Sequence, residues 1–230
     1  MTTEPNKGRC KPAILSNLQT LLEDACKDNN IPALSIAVWH NNQLYQAATG
    51  TLNVETNVEA TTDSIFQIGS ISKVFTASLI MQLVDEGRVD LNAPVKQYLR
   101  DFQVADLALT HQVTVGQLLD HTNGIAGDYL PDASYSEENA IARFVDRCNL
   151  LPKVHEPGEQ HSYSNAAYSI AGRLVEVVLG CSWFDAVAER IFEPLGMKHA
   201  IAHPSQALRY RAAMGHTAKP GQPNSLELAA

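Results

Sequence analysis

The sequence is short of positive charge and has no cluster of basic residues. Its 230 residues include 17 Lys and Arg against 25 Asp and Glu, which gives a formal net charge of −8 at pH 7 with neutral His. An acidic chain without a basic patch has few groups that neutralise a phosphate backbone. We therefore expect no nucleic-acid partner.

Long apolar runs are also missing. No stretch approaches the roughly 20 residues that cross a bilayer, and the polar N-terminal residues 1–11 lack the apolar segment of a secretory signal. We expect no membrane span and, for the chain as written, a cytoplasmic location. A chain that begins after removal of a signal would instead be periplasmic or secreted.

Cysteine is scarce, and no Cys-x-x-Cys pair occurs among Cys10, Cys26, Cys148 and Cys181. Their spacing argues against a zinc knuckle or a thioredoxin-type site, so we interpret them as free thiols. His199 and His203 stand four positions apart, as two metal ligands on one helical face would, but prolines and a glycine surround them and no third ligand is evident. We expect no metal site and no cofactor.

Several common signatures of enzyme sites are absent as well. The chain has no Gly-x-Gly-x-x-Gly, no phosphate-loop Gly-Lys-Ser/Thr, no His-Glu-x-x-His and no Gly-x-Ser-x-Gly. These absences argue against dinucleotide, phosphate-loop, zinc-protease and α/β-hydrolase sites.

The apolar pattern predicts two strands near the N-terminus and mostly helices after them. Apolar residues recur at helical spacing over 12–28, and two strand-like runs at 33–40 and 43–48 flank the hairpin signal Asn41-Asn42. The clearest helix covers 70–86, with Gly87 placed to end it. Further helices are predicted at 114–119, from 134, at 166–179 and at 182–192, with only weak strand signal after 201.

Ser70 and Lys73 form a Ser-x-x-Lys pattern at the start of the clearest helix. Residues three apart lie on one helical face, so the Lys73 amine can reach the Ser70 hydroxyl. A serine hydroxyl becomes a strong nucleophile only when a neighbouring base takes its proton, and a deprotonated lysine can be that base. The positive end of the helix dipole also favours a developing oxyanion. The alternative is that Ser70 only caps the helix and Lys73 is a solvated side chain.

Tyr163 and Asn165 precede the helix predicted at 166–179. In an extended segment, residues two apart face the same way, so the phenol and the amide can enter one cleft together. A phenol beside an ammonium can carry a proton, and an amide can orient a substrate carbonyl. By itself this pattern is more often a capped turn.

Taken in order, these segments resemble the serine β-lactamase and penicillin-binding-protein superfamily, and within it the branch of class C β-lactamases and β-lactamase-fold esterases. Ser-x-x-Lys is one of the superfamily's motifs. Six blocks, spread over roughly residues 13–215, carry the resemblance: IPALSIAV at 31–38, SIFQIGSISKVFTA at 64–77, LVDEGRVDLNAPV at 83–95, LLDHTNGI at 118–125, EPGEQHSYSN at 156–165 and IFEPLGM at 191–197.

The resemblance implies a role for each residue of the candidate site. Ser70 would be the acylated nucleophile, Lys73 its hydrogen-bonded base, and Tyr163 the proton shuttle to the leaving group. Asn165 would help to hold the substrate amide or ester. His121 and Asn123 lie in a block that the family uses near the cleft, and we interpret both as scaffold residues.

The implied fold class is α/β of the α+β type: a β-lactamase-like antiparallel sheet flanked by helices, plus a helical lobe. We expect a single domain over 1–230, with a sheet and helix lobe at 1–85 and about 166–230 and a helical lobe at about 86–165. The family's third motif, Lys-Thr-Gly or His-x-Gly on a strand lining the cleft, has no match after Asn165. That strand supplies the second oxyanion N–H in the family, so we expect an incomplete domain without the C-terminal strands and with reduced activity.

The predicted function is that of a serine acyl hydrolase that works through a covalent acyl-enzyme. The implied partners are small-molecule substrates: esters, β-lactams, or D-amino-acid amides and peptides. The alternative is a truncated or non-catalytic β-lactamase-like binding domain. An unclosed sheet also offers free edges, so we include self-association into an oligomer among the expected properties.

Overall fold

The structure, a computed structural model, describes residues 13–127, 139–219 and 222–229. They form two compact units. The first, here called the strand unit, contains the described residues up to Gln67 and from Pro204 onward; the second, the helical unit, contains those within Ile68–His203. The divisions differ from the expected lobe boundaries at 85 and 166, because the helices on both sides of those positions share one apolar core. The expectation of a single domain stays a prediction.

The strand unit begins with two helices instead of the single one predicted at 12–28. Helix α1 covers Ala13–Ser16 and α2 covers Leu18–Asn29. The break falls at Asn17, whose φ of −122° is not helical. Asparagine favours caps and turns over helix interiors, which accounts for the interruption. Buried side chains of this region pack together in a small core formed by Leu15, Leu18, Leu22 and Ala47.

The predicted hairpin is confirmed. Strands β1 (Ala33–His40) and β2 (Gln43–Asn53) pair antiparallel, and Asn41 and Asn42 between them have φ values of 49° and 58°. Two successive residues with positive φ form the type I′ turn that matches the twist of a hairpin. Strand β2 runs five residues past its predicted end and pairs with β3 (Val58–Glu59), in the sheet order β1-β2-β3.

A second antiparallel pair lies near the C-terminal end of the described chain. Strands β4 (His216–Lys219) and β5 (Gln222–Leu228) form a two-stranded sheet. Their sequences are largely polar, which is why the apolar alternation that marks a strand is weak there. A 3₁₀-helix at Pro204–Arg209 precedes them.

The helical unit consists of helices and short turns. Its α-helices are α3 (Ser72–Asp85), α4 (Leu107–Gln112), α5 (Val115–Leu119), α6 (Ala140–Asp146), α7 (Asn165–Leu179) and α8 (Trp183–Val187), and its 3₁₀-helices are Gly69–Ile71, Val95–Gln97 and Cys148–Leu150. A π-helical turn at Ala188–Phe192 continues α8. Within the three described ranges, no helix is long and apolar enough to cross a membrane.

Side-chain caps fix where several helices begin. The predicted capping box is confirmed: Thr114 and Gln117 each accept a hydrogen bond from the other's backbone N–H at the start of α5. Ser164 caps α7, where its Oγ accepts from the N–H of Ala167 at 3.1 Å. The helix expected from 134 starts outside the described residues.

The core of the helical unit forms between α3 and α7. Leu79, Ile80 and Leu83 of α3 are fully buried, as are several residues of α7, among them Ile170 and Leu174. Burying side chains of this size stabilises the fold by about 1.5–3 kcal/mol each. Small residues at the start of α7 let the two helices approach closely. This packing brings the first turns of α3 and α7 together, where the candidate residues lie.

Candidate active site

The structure brings all four predicted residues into one hydrogen-bonded group. Lys73 Nζ donates to Ser70 Oγ at 3.1 Å and to Asn165 Oδ1 at 2.8 Å. Tyr163 OH donates to the same Ser70 Oγ at 2.7 Å. Ser70 Oγ therefore accepts hydrogen bonds from an amine and from a phenol at once, although Tyr163 lies 93 positions away along the chain.

Ser70 lies in a 3₁₀ turn rather than in the first turn of an α-helix. The prediction of a helix from Ser70 is wrong in this detail, because Gly69–Ile71 forms the 3₁₀ turn and α3 begins at Ser72. Lys73 lies in the first turn of α3, three residues after Ser70. Side chains three apart in a helical turn lie on one face, so Lys73 Nζ still reaches Ser70 Oγ.

Tyr163 and Asn165 are placed by the segment that leads into α7. Ser164 between them has extended backbone angles, φ −134° and ψ 116°, and caps the helix. Extended geometry sends the side chains on either side of Ser164 in the same direction, as predicted. Asn165 is the first residue of α7, and its backbone N–H donates to Gly127 O at 3.1 Å.

The Lys73 amine lies close to two aromatic rings. The Lys73 amine lies 4.8 Å from the centre of the Tyr163 ring and 5.7 Å from that of Tyr168. The hydrogen bond with Lys73, followed by that with Ser70, lowers the pKa of Tyr163 below its usual value of 10. Because Tyr163 is 46% exposed, solvent moderates these interactions.

The β-lactamase family profile matches residues 18–229 of this chain. The chain belongs to the β-lactamase family. It is 43% identical over 194 residues to penicillin-binding protein 4 of Amycolatopsis lactamdurans, a match covering 84% of this chain and 51% of that protein. A crystal structure of SurE is similar with a TM-score of 0.78 and 27% identity, over 96% of this chain and 48% of SurE. The structure of the octameric penicillin-binding protein homologue from Pyrococcus abyssi is similar with a TM-score of 0.75 and 28% identity, over 90% of this chain and 49% of that protein.

These likenesses confirm the expected superfamily and its fold of an antiparallel sheet with helices. They also show how much of each relative this chain covers. The chain spans about half the length of the relatives that it matches.

Two ring-bearing residues lie beside Tyr163: His121, interpreted from the sequence as a scaffold residue near the cleft, and Tyr168, which the sequence analysis did not single out. His121 has its ring 4.6 Å from the Tyr163 ring and 5.2 Å from the Tyr168 ring, measured between centres. Tyr168 OH donates to Leu119 O at 2.8 Å. Burial, and secondarily the neighbouring Tyr163 and Asp120, raises the pKa of Tyr168. Its position three residues after Asn165, on the same face of α7, was the available sequence signal.

Asn123 is a scaffold residue, as interpreted from the sequence. It is fully buried, its Oδ1 accepts from the N–H of Ile125 at 2.9 Å, and its Nδ2 donates to Gln117 O at 3.4 Å. These bonds fix the loop that follows α5. Both hydrogen bonds join Asn123 to the backbone of its own loop and of α5.

The remaining candidates have local partners of their own. His203 Nε2 lies 3.1 Å from Asp185 Oδ1, an ion pair only when the histidine is protonated. In the described ranges, no group of three or more His, Cys, Asp or Glu is placed to hold a metal ion. Cys26, Cys148 and Cys181 are free thiols, and burial raises the pKa of Cys148 to about 12, which makes it unreactive. Cys10 lies outside the described residues.

Gly127 allows the Tyr163 segment to lie against the loop. An added Cβ would stand 2.5 Å from Tyr163 O and 2.6 Å from Ser164 Cα. We expect Gly127→Ala to lower the free energy of unfolding by about 1–3 kcal/mol, because backbone atoms must move to admit the methyl group. Chemical denaturation measures the change.

The control for this substitution is Gly172→Ala within α7. The added methyl group would meet its nearest neighbour, Trp183 Cδ1, at an ordinary distance of 3.6 Å. Replacing glycine by alanine inside a helix also improves helix propensity. We expect no loss of stability there. Equal losses of unfolding free energy in Gly127→Ala and Gly172→Ala would show that the close backbone approach at Gly127 is not the cause of the destabilisation.

Proposed function

We propose that this protein is a serine acyl hydrolase that forms a covalent acyl-enzyme on Ser70. The observation that carries the proposal is the double hydrogen bond at Ser70 Oγ, which accepts from Lys73 Nζ at 3.1 Å and from Tyr163 OH at 2.7 Å. A serine hydroxyl held by two proton-transfer groups is the arrangement that nucleophilic catalysis requires.

The proposed acylation moves one proton from Ser70 to the leaving group by way of Lys73 and Tyr163. Lys73, in its neutral form, takes the hydroxyl proton as Ser70 Oγ bonds to the substrate carbonyl carbon. The carbonyl oxygen becomes an oxyanion near the start of α3, where the helix dipole is positive. Tyr163 then gives its proton to the leaving group as the bond to that group breaks, and recovers a proton from Lys73. Water hydrolyses the acyl-enzyme and restores Ser70.

Asn165 is proposed to bind the substrate. Its Oδ1 accepts from Lys73 Nζ at 2.8 Å, which fixes the orientation of the amide. The Nδ2 group is then the donor available to a substrate carbonyl oxygen. Asn165 thus links the position of the base to the position of the substrate.

The proposed substrates are esters, β-lactams, or D-amino-acid amides and peptides, and the proposed chemistry requires no cofactor. Support for β-lactams comes from the 43% identity to a protein named penicillin-binding protein 4. Support for self-association comes from the solved homologue described as octameric. Both properties are proposals for this chain.

A second candidate function is a non-catalytic binding domain. The observation that favours it is the exposure of Tyr163, 46%, since solvent weakens the hydrogen bonds on which acylation would depend. The two functions differ in whether Ser70 reacts.

Covalent labelling distinguishes the two functions. The protein is incubated separately with a fluorophosphonate and with benzylpenicillin, and the intact mass is followed by mass spectrometry. We expect one adduct per chain from each probe, on Ser70 in the peptide map. Ser72→Ala is the matched control and keeps the adduct. A chain that gains no mass from either probe would refute the hydrolase proposal and favour the binding domain.

A further inference from the structure

His121 holds the backbone on both sides of Tyr163. Its carbonyl oxygen accepts from the N–H of Ser162 at 2.8 Å, and its ring Nδ1 accepts from the N–H of Ser164 at 3.1 Å. The residue between these two donors is Tyr163. One residue therefore fixes the main chain immediately before and immediately after the phenol that contacts Ser70.

The His121 ring also contacts the phenol ring directly. The ring centres of His121 and Tyr163 are 4.6 Å apart, with planes inclined by 37°. The Tyr168 ring lies 5.2 Å from His121 at 44°. Aromatic rings at these separations attract one another beyond their simple burial. His121 thus constrains both the backbone and the side chain of Tyr163.

The backbone of His121 is in an uncommon conformation. Its φ is +63°, in the left-handed region that few residues other than glycine occupy, although histidine is among those enriched there. Such a conformation costs free energy and persists only where surrounding contacts fix it. The two bonds to the Tyr163 segment are contacts of that kind.

We infer that His121 is a positioning residue that keeps Tyr163 against Ser70, and that it does so only while its ring is neutral. The inference rests on the proposed function of Ser70 and Tyr163. In the neutral ring, Nδ1 is an acceptor and takes the Ser164 N–H. In the imidazolium both ring nitrogens carry protons, so Nδ1 faces that N–H with a proton of its own and the bond is lost. Acid then releases the Tyr163 segment.

The charges around His121 favour the neutral ring. Burial lowers the pKa of His121 below its ordinary value, and the positive charges of His161 and Lys73 lower it further, whereas Asp120 opposes them. Tyr163 and Tyr168 are the other titratable groups that face the ring. With a lowered pKa, the unfolded chain binds more protons than the folded one as the pH falls. The contribution of His121 to stability is therefore complete above about pH 6.5 and lost as the pH falls through the folded pKa.

The first experiment compares His121→Asn with His121→Gly. Both residues tolerate a positive φ, but only asparagine offers an acceptor, and neither titrates. The readout is the single-turnover release of alcohol from an alkyl ester, whose poor leaving group needs the Tyr163 proton, measured between pH 4.5 and 8. We expect His121→Gly to release the alcohol about 10- to 100-fold more slowly than the natural protein, as a small misplacement of a catalytic group does. His121→Asn should keep at least a third of the rate at pH 7.

The pH dependence separates positioning from a merely structural role. We expect the ratio of the natural rate to the His121→Asn rate to decline on acidification below about pH 6.5, because the groups that both proteins share affect both rates alike. His161→Asn is the matched control: its ratio to the His121→Asn rate declines at higher pH, since a neighbouring positive charge is gone. A ratio of natural to His121→Asn rate that stays constant over this range would overturn the inference.

Nuclear magnetic resonance tests the inference without relying on activity. In ¹⁵N-labelled natural protein, the Ser164 amide resonance should follow the titration of the His121 ring, and the amide in His121→Asn should not. A Ser164 amide that stays constant while His121 titrates would refute the positioning role. If that amide follows His121 but no probe labels Ser70, the inference about His121 stands and the proposed hydrolase function fails.

Discussion

Replacement of Lys73 by methionine is expected to slow the labelling of Ser70 by about 10³-fold, within the range for loss of a general base. Methionine keeps an unbranched apolar side chain but has no amine to take the serine proton. The Lys73 amine touches both Ser70 and Asn165, so the substitution also removes the bond that orients the amide. The rate of Ser70 labelling is measured by quenching the reaction with fluorophosphonate at successive times and determining the labelled fraction by intact mass.

Lys73→Arg distinguishes a base from a fixed positive charge. A guanidinium keeps the charge but does not lose its proton in proteins. We expect it to be as slow as Lys73→Met to within about tenfold. Lys27→Met, in α2, is the matched control for the loss of one lysine and keeps its reactivity. A Lys73→Arg variant that retains most of the natural rate would show that Lys73 acts through its charge and that another group is the base.

Local features of the fold could be predicted because their causes lie within a few residues. Asn41-Asn42 specifies the hairpin turn through the positive φ that asparagine tolerates. Thr114 and Gln117 specify the start of α5 through reciprocal hydrogen bonds. The Ser70–Lys73 contact is of the same kind, since it requires a single helical turn.

Features that depend on distant packing could not be predicted in the same way. Nothing near Tyr163 in the sequence shows that its phenol reaches Ser70, because α7 must first pack on α3. The resemblance to a family supplied that pairing. The sequence marked His121 only as a scaffold residue for a related reason: its two acceptors bind backbone N–H groups, which almost every residue carries, so no residue type reveals the partner.

The site also depends on small residues that carry no chemistry. Ala166 and Ala167 at the start of α7 are fully buried. Larger side chains there would force α7 away from its neighbours, since a close-packed core has no room for extra volume. Asn165 and Tyr163 would move with the helix end. The distance between phenol and serine is therefore set partly by residues that touch neither.

Tyr163→Phe is expected to slow acylation in proportion to how poor the leaving group is. A phenol that protonates the leaving group is needed for an alkyl ester, whose alkoxide leaves badly, and hardly needed for a p-nitrophenyl ester, whose phenolate leaves unaided. We expect a loss of about 10²–10³-fold with the alkyl ester and less than about tenfold with the p-nitrophenyl ester. Single-turnover release of the alcohol or of p-nitrophenol measures both rates on the same protein.

The pH dependence of the rate with the alkyl ester also tests whether Tyr163 donates the proton to the leaving group. Only the protonated phenol can donate, and Lys73 and Ser70 lower the pKa of Tyr163, so the rate should fall with rising pH before pH 10 is reached. Tyr163→Phe should lack this fall. The matched control is Tyr168→Phe, which loses only the bond to Leu119 O and should keep the fall. Equal losses with both esters in Tyr163→Phe would contradict the proton-shuttle role and leave the phenol as a hydrogen-bond donor to Ser70.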